Sequence, residues 1–283
     1  MVFPIEKMCK VFNVSSSGYY NWINAVPSKR MLENIDITKR IISIHKESKG
    51  TYGSPMITKR LNKDLIKVSR PRVARLMKAS SIESKRKKKF VITTDSSHKY
   101  PVVENVLNRN FQVDVLGKSW VSDLTYIGTE QGWLYLTTVI DLADRKVIGW
   151  ALSETMKASH TSIPAFNMAI KNRPINGELI FHSDRGIQYA CTEFKNVLEM
   201  NKKVIRSMSR KGNCWDNAVA ESFFKTLKSD LIYGSKFKTI KEAKSAVFEY
   251  IEIWYNRKRM HSSNEYRTPE EMEEFLLNKK IAA

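Results

Sequence analysis

An α/β fold is predicted for the larger part of this chain: a mixed five-stranded sheet with flanking helices, preceded by an all-α, basic region of helix-turn-helix type. Three observations carry that expectation. From Trp120 onward the β-rich runs WVSDLTYI, GWLYLTTVIDL and KVIGWALS follow one another across short Gly- or Asp-containing turns, as in an antiparallel meander. After them, helix and strand patterns alternate: ASHTSIPAFNMAIKN, GELIFHSD, CTEFKNVLEMN, KVIRSM and DNAVAESFFKTLKSDLI. The resulting order, βββ-α-β-α-β-α, is that of a ribonuclease-H-like sheet with helices on its faces. Finally, residues 1–99 hold 22 Lys and Arg against 7 Asp and Glu, whereas residues 100–283 hold 26 against 22.

The net charge of +19 therefore sits mainly in the front third. A basic module joined to a nearly balanced one suits a polyanion-gripping part attached to a second function, although a basic surface alone also fits mere solvation. A hydrophobic content of 42% is enough for a sizeable core and argues against wholesale disorder. Cys9, Cys191 and Cys214 are odd in number and far apart, so neither a zinc knuckle nor a disulfide framework is expected. No run approaches a membrane span and the N-terminus lacks a signal-like apolar stretch, so a cytoplasmic, nucleoid-associated protein with no membrane partner is expected.

Along the front region, residues 5–23 read as two short helices around a Ser-rich turn, compatible with a small helix-turn-helix or with a plain helical hairpin. The apolar spacing of Ile37, Ile41, Ile42 and Ile44 predicts a helix ending near Gly50, and PMITKRLNKD predicts a second. In VSRPRVARLMKAS, Ser69 is placed as N-cap and Pro71 in the first turn. Val73, Leu76 and Met77 then share one face, while Arg72, Arg75 and Lys78 share another, which suits a helix in a DNA groove. SKRKKKF at 84–90 reads as a charged linker. The domains expected are thus a helical segment over 1–35, a basic helix-turn-helix-like domain and linker over 36–90, a ribonuclease-H-like core over 105–235 and a helical tail over 236–283.

Three carboxylates stand out. Asp123 lies inside an apolar and aromatic strand, where acidic residues are depleted. Asp184 ends the strand GELIFHSD, and Glu221 lies one to two turns into the helix that Asp216 is expected to cap. If the first and fourth strands are neighbours, Asp123 and Asp184 sit side by side and the helix can deliver Glu221 between them. Such a cluster repels itself unless it holds cations. Mg²⁺ suits carboxylates plus water and phosphate, and two ions about 3.5–4 Å apart clamp an in-line displacement at phosphorus. Singly, each has an ordinary explanation: an edge or salt-bridged Asp, a turn residue, an exposed helix position. Lys225 and Lys228 share Glu221's stripe at i+4 and i+7, which suits a phosphodiester backbone crossing that face. Arg210 and Lys211, in the polar loop before the helix, are further candidate DNA contacts. Asp114, Asp141, Asp144 and Asp216 are set aside, Asp141 and Asp144 because they bracket a hairpin turn.

The segments WVSDLTYI, FHSDRGIQYA and SMSRKGNCWDNAVAESFFKTLK, with SSSGYYNW, KGTYGSPMITKRL, VSRPRVARLMK and WYNRKRMHSS around them, resemble the DDE transposases of the insertion-sequence-three family, specifically the product of the second reading frame. That family shares its core with retroviral integrases. The resemblance covers nearly the whole chain and implies a metal-binding, catalytic triad of Asp123, Asp184 and Glu221, with Lys225 and Lys228 at the element's end. It implies dependence on Mg²⁺ (or Mn²⁺) and action on double-stranded DNA, at terminal inverted repeats and a target. The expected chemistry is hydrolysis at a 3′ end, then attack by the freed hydroxyl on another phosphodiester. It also implies a homo-oligomer on DNA and a first-frame partner protein, joined in a frameshift fusion. The spacing from Asp184 to Glu221 is one residue longer than usual in the family, which a loop around residues 201–204 absorbs; the tail reads SSNEYRTPEE where a Leu-Gly pair is usual before the Tyr. Two other readings share the sequence: a nuclease that cuts without joining, and a DNA-binding regulator whose core only dimerises.

Overall fold

The computed structural model describes residues 4–84 and 100–281. Nearly all of the 84–90 charge run, and the boundary expected there, lies outside the described residues. The chain forms two compact units, residues 1–84 and 85–283.

The first unit is all helical: α1 (Ile5–Val11), α2 (Ser16–Ile23), α3 (Lys29–Glu47), α4 (Ser54–Lys63) and α5 (Arg70–Ala79). Ile37, Ile41 and Ile44 of α3, Ile57 and Leu61 of α4, and Val73 and Met77 of α5 are buried and make its core. Their i, i+4 and i+7 spacing gives each helix one apolar stripe, and three stripes suffice to enclose a small core. Ser28 accepts the Met31 N–H at 3.2 Å, so α3 starts at Lys29 and runs unbroken across the division expected between residues 35 and 36. The capping signal lay upstream of the apolar repeat that marked the helix. Ser69 stands at the N-cap of α5, but its side chain makes no capping hydrogen bond there.

The second unit holds a five-stranded sheet in the order β3-β2-β1-β4-β5. Its strands are β1 (Ser119–Thr129), β2 (Gly132–Asp141), β3 (Val147–Ser153), β4 (Leu179–Ser183) and β5 (Val204–Met208). The first three form the antiparallel meander, and β4 and β5 add in parallel, which completes the ribonuclease-H-like topology. Helices α6 (Ser162–Asn172), α7 (Ile187–Ala190) and α8 (Thr192–Met200) supply the crossovers, and α9 (Ala218–Leu227) follows β5. Phe166 of α6 sits among Trp120, Phe181 and Phe194 with ring centroids 5.2–6.2 Å apart, mostly edge-to-face. At Gly149, an added Cβ would stand 2.2 Å from the Ala165 carbonyl oxygen, so only glycine lets α6 lie this close on β3.

The tail belongs to this same unit. After α10 (Ile240–Phe248), a π-helical segment (Glu249–Tyr255) leads to Asn256, whose side chain accepts the Val147 N–H and donates to the Val147 carbonyl, both at 3.0 Å. Asn256 thereby pairs the otherwise free edge of β3 as a neighbouring strand would. Trp150 donates to Glu252 at 2.7 Å on the same edge. Helix α11 (Pro269–Ile281) brings Glu273 to Arg173. Buried Arg173 also reaches Asp141 and Asp144, each at 2.7 Å. This ion cluster accounts for both turn carboxylates. Among the described residues, no helix is long and apolar enough to cross a membrane.

Candidate active site

The site starts from strand register. β1 and β4 pair in parallel up to Ser122 opposite Ser183, and there the strands part. Asp123 and Asp184 are the next residue on each strand, and the Asp184 charge reaches Asp123. Two further contacts hold this point. The Ser122 hydroxyl shares a 2.8 Å hydrogen bond with the Tyr189 hydroxyl of α7, and Asn217 donates from the start of α9 to the Ser122 carbonyl at 3.0 Å. Asn217 thus pins α9 to β1 one residue before Asp123, and α9 carries Glu221 a turn further on. The other amide atom of Asn217, Oδ1, is buried without a partner.

The electrostatics place the three carboxyl groups in one field. Burial pushes Asp123 well above the usual carboxylate range, the Asp184 charge adds to it, and Glu221 contributes further; the Leu124 N–H (2.8 Å) and Lys228 oppose. Burial and then Asp184 raise Glu221. Tyr189 is raised by burial and by both aspartates. Lys228 is half-buried: burial lowers it, Asp123 pulls the other way, and its ammonium stands 5.5 Å from the Tyr126 ring centroid. Asp184 Oδ1 accepts the Gly186 N–H at 2.9 Å, which orients it. Among the described residues, no three His, Cys, Asp or Glu side chains are drawn close enough to cage a metal ion by themselves. Three mutually repelling oxygen donors nonetheless fit a hard divalent cation that completes its shell with water and phosphate.

The other residues marked in the sequence divide. Lys225 and Lys211 are exposed. Asp216 is no helix cap. A 3₁₀ turn (Cys214–Asn217) precedes α9, and the fully buried Asp216 carboxylate is gripped by Arg210 (2.8 and 2.7 Å) and Arg109 (2.7 Å), which hold it far below the usual range. Arg210 is therefore committed to shaping its own loop. In the helical unit, Arg72 turns back to Asn34 (2.9 Å) and Glu33 (3.1 Å) of α3, whereas Arg75 and Lys78 face outward on α5. Four residues of the site carried no signal as candidates in the sequence: Ser122, Tyr189, Asn217 and His182. His182, buried between Ser207 of β5 (2.8 Å) and Ser209 just past its end (3.2 Å), is held down to about 4 by burial, so it is neutral and ties β4 to β5. Polar residues flanking Asp123, Asp184 and Glu221 in WVSD, FHSD and WDNAVAES were the available hint.

Comparisons with known proteins identify the domains and the family of the chain. Two integrase core domain models match residues 116–214 and 221–275, and an HTH-like domain model matches residues 32–90. The simian T-cell lymphotropic virus intasome, solved in complex with PP2A regulatory subunit B56 gamma, aligns with a TM-score of 0.46 at 13% identity, over 82% of this chain and 73% of that one. The fold and the integrase core define a polynucleotidyl transferase of the DDE type. An uncharacterised 31 kDa protein of insertion element IS600 from Shigella sonnei is 42% identical over 90% of this chain and 93% of its own. Transposase InsF for insertion sequence IS3A from Escherichia coli K12 is 36% identical over 99% of this chain and 96% of its own. The chain belongs to the IS3 family of transposases.

Proposed function

We propose that the chain cleaves and joins DNA at the ends of an insertion sequence by two-metal phosphodiester chemistry, with Asp123, Asp184 and Glu221 holding two Mg²⁺ (or Mn²⁺) ions. The observation that supports this reading best is the shared field of the three carboxyl groups, each placed by a different element. Bound ions would activate the attacking oxygen and stabilise the leaving one. The chain's own residues supply the frame: β1 and β4 present the aspartates, Asn217 fixes α9, and Tyr189 underlies them. Lys225 offers a solvent-facing cation to a phosphate of the DNA end, and Lys228 offsets part of the carboxylate charge from beside Asp123. No Ser, Cys or His nucleophile is required.

The metal site has a test that needs no turnover. Because Asp123 titrates above its unfolded value, its ionisation weakens the fold as pH rises through that window. Asp123→Asn is expected to melt higher than the parent in EDTA at neutral pH, with the difference vanishing toward acid pH. Added Mg²⁺ should raise the parent by about 5–10 °C at a hundredfold excess over its dissociation constant, and leave the variant nearly unmoved. An equal Mg²⁺ response in both chains contradicts the assignment.

The helical unit grips DNA in this proposal, through Arg75 and Lys78, with Lys211 adding a contact beside the core and the first-frame protein and further copies of the chain completing the assembly. Arg75→Ala with Lys78→Ala should weaken DNA binding and lower its salt dependence by roughly one unit of slope per lost phosphate contact. Arg72→Ala should instead loosen the helical unit, since that side chain braces α5 against α3. Equal salt slopes for the double variant and the parent would mean that α5 does not touch phosphate.

A further inference from the structure

The half of the β1–β2 hairpin beyond Ser122 carries a feature that the carboxylate chemistry does not use. Beyond Ser122, β1 has no β4 partner, and on this stretch Tyr126 packs edge-to-face with Trp133 of β2, centroids 5.0 Å apart at 89°. Trp133 also covers Gly128, its cross-strand partner, with a ring carbon 3.4 Å from where a Cβ would lie. Covering a strand glycine explains one side of the indole. It does not explain why Trp133 remains 56% exposed. The same place holds charge. The Lys228 ammonium stands over the Tyr126 ring while sharing its field with Asp123. Gly128, opposite Trp133, lies five residues along β1 from Asp123, about 17 Å, and Tyr126 and Trp133 project from the other face of the sheet. Lys228 thus links the carboxylate end of β1 to the aromatic pair further along the hairpin.

We propose that Trp133, braced by Tyr126, is a stacking site for an unpaired base lying two to three nucleotides from the phosphodiester at the carboxylates. The proposal rests on the reading of the site as a DNA-processing centre. Its occupant is a nucleobase rather than an apolar protein segment, because the Lys228 ammonium stands beside the aromatic pair and links it to the carboxylates. A planar π-face accepts any base, so the site grips a frayed strand without reading sequence. Lys228 holds Tyr126 from one side and is placed to meet a phosphate between the stacked nucleotide and the reacting one.

The test uses the full-length chain in EDTA, with a blunt duplex, a forked duplex of the same sequence carrying three unpaired 3′ nucleotides, and that fork with abasic unpaired positions. The parent is expected to bind the fork more tightly than the blunt or abasic probes. Trp133→Ala should erase the preference, weakening fork binding by about 5- to 150-fold while leaving blunt binding unchanged, and Trp133→Phe should restore most of it. Equal loss on all three probes, or no loss on the fork, overturns the proposal. Because no metal is present, the outcome is separate from that for the chemistry. A parent that stacks the fork but never cleaves with Mg²⁺ removes the proposed chemistry and keeps the platform. A Trp133→Ala chain that binds and processes forked ends normally does the reverse.

Discussion

Replacing Glu221 by Gln is expected to reduce divalent-ion-dependent cleavage by about a thousandfold or more at every DNA concentration, while DNA affinity holds or rises slightly. The substitution keeps the size and polarity of the side chain and removes one negative charge from a site that needs it. The contribution of metal to charge stabilisation is several kcal/mol, and each ~1.4 kcal/mol is a factor of ten in rate. Binding escapes because like-charge repulsion toward phosphate also falls. Lys225→Ala, one turn along the same helix, provides the contrast. It removes a charge-assisted phosphate contact of about 1–3 kcal/mol, so its defect should appear at low DNA and recover near saturation. Initial rates of 3′-end cleavage against DNA concentration separate the two. A lysine variant that stays inactive at saturation, or a glutamine variant that cleaves normally, contradicts the division of labour on α9.

The second large effect lies away from the site. Arg173→Ala should cost about 3–5 kcal/mol, because it leaves the buried carboxylates of Asp141 and Asp144 without their shared guanidinium. The pH dependence has a definite sign. Burial already pushes Asp144 up to about 6, against the opposing pull of Arg173. A carboxyl raised in the fold favours the folded state while protonated and costs stability once pH climbs through its folded value. Without Arg173 that value rises further, so the variant's deficit should be small near pH 5 and largest at pH 7–8. Denaturant melts of parent and variant across that range test it; a deficit independent of pH would mean that lost packing, not stranded charge, dominates. Glu273, also bound to Arg173, ties the same cluster to the tail. Loss of Arg173 should therefore loosen α11 as well.

The sheet was legible in the sequence because its cues are local. Alternating apolar runs with turn residues between them mark β1 to β3, and helix-strand alternation marks the rest. Strand neighbourhood then followed from the expected topology, and the observed β1–β4 register runs up to Ser122 opposite Ser183, one residue short of the two aspartates. What escaped were partners distant along the chain. Asp216 before a helix is locally indistinguishable from a cap; only the fold reveals Arg109, from the segment ahead of β1, on its carboxylate. Arg72 likewise looked like one member of a basic face, yet its partners Glu33 and Asn34 are on α3, two helices earlier. Lys228 shared a helical stripe with Lys225, but a switch from α to π geometry at Lys228–Ile232 accompanies its inward position against Asp123 and Tyr126. Asn256 is invisible as an edge cap until β3 is known to be an edge. Spacing along an element was readable; contacts between elements needed the structure.

The central claim is that Asp123, Asp184 and Glu221 together hold the ions that run DNA breakage and joining. Its most direct test incubates the purified full-length chain with end-labelled DNA carrying the element's terminal repeat and an unlabelled target, with Mg²⁺, Mn²⁺ or EDTA. The expected result is a nicked product and a longer joined product with either metal, neither product in EDTA, and neither from Asp123→Asn, Asp184→Asn or Glu221→Gln chains that still bind the DNA. Products formed in EDTA, or by any one of those three variants at the parent's rate, would contradict it; nicking without joining would leave a nuclease in place of a transposase.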